Sequence, residues 1–132
     1  MIGVDTNVLA RLFVDDGSPE RLRAMEFFTN RGADELVFVS LVVLVEFVWL
    51  LSGRYEFTRT QILDALEALL KNAGFVLECE DLVIIALERA RSDGSGIPDN
   101  LVARLGERAG CAATVTFDRT AAKRIPGMEL LK

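Results

Sequence analysis

The sequence predicts an α/β domain with a central, mainly parallel sheet flanked by helices. Two observations carry that expectation. Short apolar stretches of strand character alternate along the whole chain with longer stretches of helical periodicity. Capping residues stand where several of the short stretches give way to the long ones. The chain has 132 residues, 51% of them hydrophobic, which suffices for one well-buried core. No internal repeat, low-complexity tract or linker divides it, so residues 1–132 are expected to form a single domain.

The elements follow in order. "IGVD" is a short strand leading into "TNVLARLFV", a helix capped by Thr6 or Asn7 with Val8, Leu9, Leu12 and Phe13 on one face. After "DDGSPE", Ser18 caps a second helix with Pro19 at its first position and Leu22, Met25 and Phe28 on one side, ending near Gly32. "LVFVS" is the next strand, and Ser40 caps "LVVLVEFVWLL", which is apolar nearly all round and therefore expected in the interior. Thr58 and Gln61 read as a capping box for a helix to about Leu70. "GFVLE" is a third strand, followed by the helix "DLVIIALERARS" and the loop "DGSGIP". A helix then runs from Asp99 to Gly110, followed by the strand "AATVTF", the segment "DRTAAKRI" and a last strand in "MELL".

Composition narrows the chemistry. With no histidine in the chain, the common zinc sites and imidazole bases are excluded. Cys79 and Cys111 have neither a metal-ligand spacing nor a disulfide framework and read as reduced core thiols. The apolar run around Glu46 is too short to span a bilayer, and the N-terminus lacks the basic flank and cleavage site of a signal peptide, so a cytoplasmic protein is expected. A formal net charge of −5 argues against coating nucleic acid by charge alone, but a metal-filled acidic site still admits a nuclease.

Four acids stand out. Asp5 and Asp118 follow strands, Asp99 begins a helix after a flexible loop, and Glu46 interrupts the apolar helix. Ligand sites in parallel α/β sheets lie off the carboxyl ends of strands, so all four can meet at one edge. Simpler roles compete: Asp5 and Asp99 as helix caps and Asp118 as a turn residue. Glu46 resists such a reading, because a buried carboxylate needs a partner. Clustered carboxylates repel, and Mg²⁺ or Mn²⁺ with oxygen ligands compensates them. A metal-bound water then attacks a phosphodiester, which points to a metal-dependent nuclease.

Four segments, "VDTNVLAR", "VSLVVLVEFVWLL", "PDNLVARL" and "TVTFDR", resemble the PIN-domain ribonucleases, and among them the VapC-type toxins of bacterial toxin–antitoxin pairs. The resemblance spans essentially the whole chain in order. It implies a three-layer PIN-like fold and an endoribonuclease whose Mg²⁺ or Mn²⁺ is bound by Asp5, Glu46, Asp99 and Asp118, with Asp5 and Asp99 making the most direct contacts. It also implies supporting roles for Asn7, Ser40 and Thr116, a homodimer, and a cognate VapB-like antitoxin. Many relatives carry a further aspartate three residues before the position of Asp99, where this chain has Gly96, which leaves open one metal or two. Asp93 in the same loop reads as a solvated charge.

Arg11, Arg54, Arg119 and Arg124 are candidates for RNA phosphate, Arg11 and Arg119 being closest in sequence to site acids. Trp49 reads most simply as core, with an interface role as the alternative. Two rival functions remain at this level: a non-catalytic PIN-like interaction module, kept open by Gly96, and an aspartate-based phosphoryl-transfer domain. The second usually has two acids spaced D-x-D at the first strand, and Asn7 stands where the second would be.

Overall fold

The computed structural model describes all 132 residues. Backbone contacts divide them into two compact units, Met1–Glu78 and Cys79–Lys132. Helices and parallel strands make up the α/β fold expected; every strand pairing is parallel, and the strands fall into two sheets, one within each unit.

The first unit comprises β1 (Ile2–Gly3), α1 (Thr6–Phe13), α2 (Pro19–Thr29), β2 (Val37–Val39), α3 (Leu41–Gly53), α4 (Arg59–Lys71) and β3 (Phe75–Leu77). Its sheet has the order β1-β2-β3, with Ile2 opposite Val37 and Val37 opposite Phe75. Parallel neighbours need crossover connections, and helix pairs supply both here. Ser18, Ser40 and Thr58 cap their helices as expected, and Thr58 with Gln61 closes a complete capping box. The first helix differs: Asp5, not Thr6 or Asn7, is its cap. The core centres on Leu9, Leu44, Phe47, Leu51, Leu66 and Leu69, all fully buried, with the rings of Phe13 and Phe47 5.4 Å apart.

Helix α3 corrects an expectation. It buries Leu44, Phe47, Val48 and Leu51, a single stripe at helical spacing, while Val42 is 69% exposed and Trp49 62%. Glu46 falls on that exposed stripe. An apolar sequence broken only at Glu46 hid this geometry, because a helix turning 3.6 residues per turn sends positions 42, 46 and 49 away from positions 44, 47, 48 and 51 whatever their hydropathy. Glu46 is therefore not a buried charge awaiting rescue, and Trp49 is not core.

The second unit comprises α5 (Glu80–Asp93), α6 (Ile97–Arg108), β4 (Thr114–Thr116), α7 (Arg119–Arg124) and β5 (Met128–Leu130). Thr114 pairs with Met128 and Thr116 with Leu130. Helices α5 and α6 pack together, and Ala103, Ala121, Ile125 and Met128, drawn from α6, α7, the turn after it and β5, form a buried cluster. Helix α6 starts at Ile97, two residues before the position expected from the sequence, with Pro98 in its first turn. Gly110, at φ 93°, ends the α6 region in a conformation that suits glycine. Cys111 lies in the turn beyond it and is exposed, while Cys79 is half-buried and free, so the two are not the pair of core thiols expected. No helix is long and apolar enough to cross a membrane.

Candidate active site

In the first unit, Asp5 follows β1 and begins α1. Its Oδ1 accepts the Val8 backbone N–H at 3.2 Å, satisfying one of the donors that a helix start leaves open. The side chain is exposed. Asp5 thus both caps a helix and presents a carboxylate to solvent at a strand exit. Asn7, also exposed, borders two clefts. One, of about 410 Å³, is shared with Asp5, Val8, Ala24 and Phe27. The other, of about 380 Å³, is shared with Thr6, Glu46, Trp49, Leu50 and Arg54. Asn7 is accordingly the residue common to the surroundings of Asp5 and of Glu46.

Ser40 follows β2 and caps α3, its Oγ accepting the Val43 N–H at 3.2 Å. The Glu78 carboxylate secures the same helix start by accepting the Leu41 N–H at 2.8 Å. Ser40 therefore acts on Glu46 only by fixing the helix that carries it. Arg11 lines the larger cleft together with Asp5 and Asn7. Its side chain is 12% exposed, donates to the Tyr55 hydroxyl at 2.7 Å and pairs with Asp16 at 3.5 Å, which holds the guanidinium in place. Arg54, by contrast, is exposed beside Glu46 in the smaller cleft.

In the second unit the structure brings Asp99 and Asp118 together. Asp99 lies in the first turn of α6, and the cap position belongs to Gly96, whose lack of a side chain leaves that role unfilled. Asp99 is half-buried. Its carboxyl pKa is raised above the ordinary aspartate value, first by burial and then by the charge of Asp118. Asp118 caps α7, accepting the Ala121 N–H at 2.9 Å, and its own backbone N–H donates to Thr116 Oγ1 at 3.0 Å. Thr116 thereby fixes the backbone from which Asp118 projects. Arg119 is exposed at the start of α7, and Arg124, at its end, accepts Arg89 Nη2 on its carbonyl at 2.8 Å.

Gly96 abuts the site. A methyl group there would stand 3.4 Å from Asp99 Oδ2, an ordinary contact, so the position that lacks an aspartate is directly beside the Asp99 carboxylate. Asp93 does not compensate. Its carboxylate accepts the Ser95 hydroxyl at 2.5 Å and the Ser95 N–H at 2.9 Å, and pairs with Arg89 at 2.9 Å. The Ser95 hydrogen bonds, with Arg89 behind them, hold its pKa below the usual value.

Sequence reasoning missed Asn100. Only 1% exposed, it donates from Nδ2 to Ser95 Oγ and to the Gly96 carbonyl, both at 2.8 Å. These bonds tie down the turn that enters α6 immediately before Asp99. The available signal was its place on the buried stripe Ile97, Asn100, Leu101.

Half-buried Asp99 and exposed Asp118 offer hard oxygen donors, and hard divalent cations such as Mg²⁺ take one or two protein carboxylates. The chain contains no group of three or more acidic or cysteine side chains close enough to hold a metal ion.

A crystal structure of Mycobacterium tuberculosis VapC20, described as a sarcin–ricin loop cleaving toxin, is similar at 22% identity, with 93% of this chain and 94% of that chain covered and a TM-score of 0.47. No curated protein matches the chain. The family model of the PIN domain matches residues 2–127, nearly the entire length, and the chain belongs to the PIN domain family.

Proposed function

We propose that the protein is a metal-dependent endoribonuclease, the toxin of a VapBC-type toxin–antitoxin pair. Residues 1–132 act together as its catalytic domain. The observation that carries the reading is the Asp99–Asp118 pair, in which a half-buried carboxyl is raised in pKa by burial and by its neighbour, within a chain of the PIN family. Such a pair is poised to take up a cation.

Asp5, Glu46, Asp99 and Asp118 are the proposed metal-site and catalytic residues, with Mg²⁺ or Mn²⁺ as the cofactor, one or two of them touching an ion directly and the others acting through its bound waters. The ion, when bound, supplies Lewis acidity toward the phosphate and a water of lowered pKa. Thr116 and the α7 N-terminus hold Asp118, Ser40 holds the start of α3 on which Glu46 rides, and Asn7 orders the surroundings of Asp5 and Glu46. Arg119 supplies positive charge for the RNA backbone. The acidic balance of −5 suits a basic VapB-like antitoxin, and the exposed Val42 and Trp49 suit a homodimer. A cytoplasmic location fits an RNA substrate and an antitoxin partner.

Gly96 favours a second reading, a PIN-like module that binds RNA or antitoxin without cleaving. One experiment separates them. Purified, antitoxin-free protein is incubated with structured RNA and Mg²⁺ or Mn²⁺, with and without EDTA. Cleavage abolished by EDTA and by Asp5→Asn supports the nuclease, whereas intact RNA under every metal condition supports the module.

A further inference from the structure

Arg54 and Tyr55 stand where α3 ends. Their backbone N–H groups both donate to the Leu50 carbonyl, at 3.0 and 3.3 Å, and the Phe57 N–H donates to the Leu51 carbonyl at 2.8 Å, so this turn is tied to the helix. The Tyr55 ring is tied as well. Its hydroxyl accepts Arg11 Nη1 at 2.7 Å, and Arg11, 12% exposed, pairs with Asp16. Asp16 in turn accepts the Ser18 N–H at 3.0 Å and the Ser18 hydroxyl at 2.5 Å. These Ser18 bonds first, and the charge of Arg11 after them, hold the Asp16 carboxyl below the usual aspartate range and keep it ionised. A run of contacts from the cap of α2 thus ends on the ring of Tyr55.

The Arg54 guanidinium lies 5.6 Å from the centre of that ring, within reach of a cation–π contact. Arg54 is exposed and belongs to none of the protein's ion pairs, whereas Asp16 neutralises Arg11. A solvated surface charge is the simpler account of such an arginine. Two observations oppose it: the ring gives the guanidinium a seat, and the seat is in a cleft of about 380 Å³ that also holds Glu46, Asn7 and Thr6, with Trp49 and Leu50 as its walls. A guanidinium fork without a carboxylate matches two oxygens of a phosphodiester. A protein partner fits this cleft less well, because stable interfaces take about 20–30 residues a side, and six residues line it.

We propose that Arg54, seated on Tyr55, holds an RNA phosphate beside Glu46, with Tyr55 as its positioning residue. The inference rests on the ribonuclease reading and deepens it, since it assigns one backbone contact and the device that orients it. A phosphate contact carries no base information, so Arg54 sets how the strand lies at Glu46 and leaves sequence choice to other groups.

The test measures binding of a fluorescein-labelled, unstructured RNA of about 12 nucleotides to the full chain at several salt concentrations, in an Asp99→Asn background that keeps the RNA intact. Arg54→Gln is expected to weaken binding by about 5- to 50-fold and to lower the slope of log Kd against log salt by about 0.7, the share of one phosphate. Tyr55→Leu is expected to weaken binding with Arg54 still present, and the double variant to bind no more weakly than Arg54→Gln alone, because Tyr55 acts through Arg54. Unchanged affinity in Arg54→Gln overturns the proposal, as does weaker binding with an unchanged salt slope. Additive losses in the double variant overturn the role of Tyr55. A change in sedimentation with unchanged RNA affinity assigns Arg54 to a protein contact and also overturns it. Cleavage is read separately with Asp99 restored. Arg54-dependent binding without any cleavage sinks only the nuclease reading, cleavage with an unaltered KM in Arg54→Gln sinks only the phosphate contact, and no RNA binding at all sinks both.

Discussion

Asp99 and Asp118 form a like-charged pair in which the Asp99 carboxyl is held above its ordinary pKa, by burial first and by Asp118 second. The folded state therefore holds the Asp99 proton to higher pH than the unfolded chain does. Stability falls as pH rises from the ordinary aspartate value through the raised one, and the cost persists at neutral pH. Asp99→Asn removes that cost. Metal-free protein carrying this substitution is expected to melt at a higher temperature than wild type at pH 7, with the difference disappearing at a pH below both values. Thermal melts across pH read both outcomes, and added Mg²⁺ is expected to raise the wild-type Tm more than the variant's.

Thr116 acts through Asp118. Its hydroxyl is the acceptor for the Asp118 backbone N–H, and replacing it with a methyl group leaves that donor without this partner. Thr116→Val is expected to lower kcat/KM for RNA by about 2- to 10-fold, in line with one ordinary hydrogen bond. Thr116→Ser keeps the acceptor and is expected to recover most of the activity. The comparison is a kinetic one, with circular dichroism verifying that both variants fold.

Asn100 carries stability. Asn100→Ala removes a buried amide that satisfies Ser95 Oγ and the Gly96 carbonyl, and is expected to cost about 1–3 kcal/mol. Denaturant unfolding measures it as a lower midpoint with unchanged slope. The same substitution loosens the turn before Asp99, so a weaker response of Tm to Mg²⁺ is expected to accompany the loss.

The two faces of α3 give a paired prediction. Phe47→Ala opens a cavity at a fully buried site and is expected to cost about 3–5 kcal/mol. Trp49→Ala, two positions on but exposed, is expected to change monomer stability by no more than about 0.5 kcal/mol. If the exposed stripe joins two copies, Trp49→Ala lowers the sedimenting mass at micromolar protein while leaving the far-ultraviolet spectrum intact.

The order and type of the elements were legible in the sequence because local signals agree with the fold. Ser18 before Pro19, Ser40 before an apolar run, and Thr58 with Gln61 all mark helix starts that the structure contains. The burial of α3 was not legible, because its exposed face carries valine and tryptophan as freely as its buried face carries leucine. The start of α6 was misplaced by two residues, because Pro98 reads as the end of a loop when it is in fact in the first turn of the helix. Asp99 was recognised for the right residue type but not for its environment. Its raised pKa depends first on burial and then on Asp118, nineteen positions away in sequence and near it only once α6, β4 and α7 have folded. For Arg11, closeness in sequence to Asp5 matches the cleft the two share, while its partners Tyr55 and Asp16, 44 and 5 positions away, were not legible.

The central claim is that Asp99 and Asp118 serve a divalent-metal ribonuclease site. Its most direct test is the rate of RNA cleavage by antitoxin-free protein as Mn²⁺ is titrated, for wild type, Asp99→Asn and Asp118→Asn. The account predicts cleavage that rises with Mn²⁺, ceases in EDTA, and drops to background in both variants while each remains folded. Cleavage that persists in EDTA, or that either variant sustains at the wild-type rate, would contradict it.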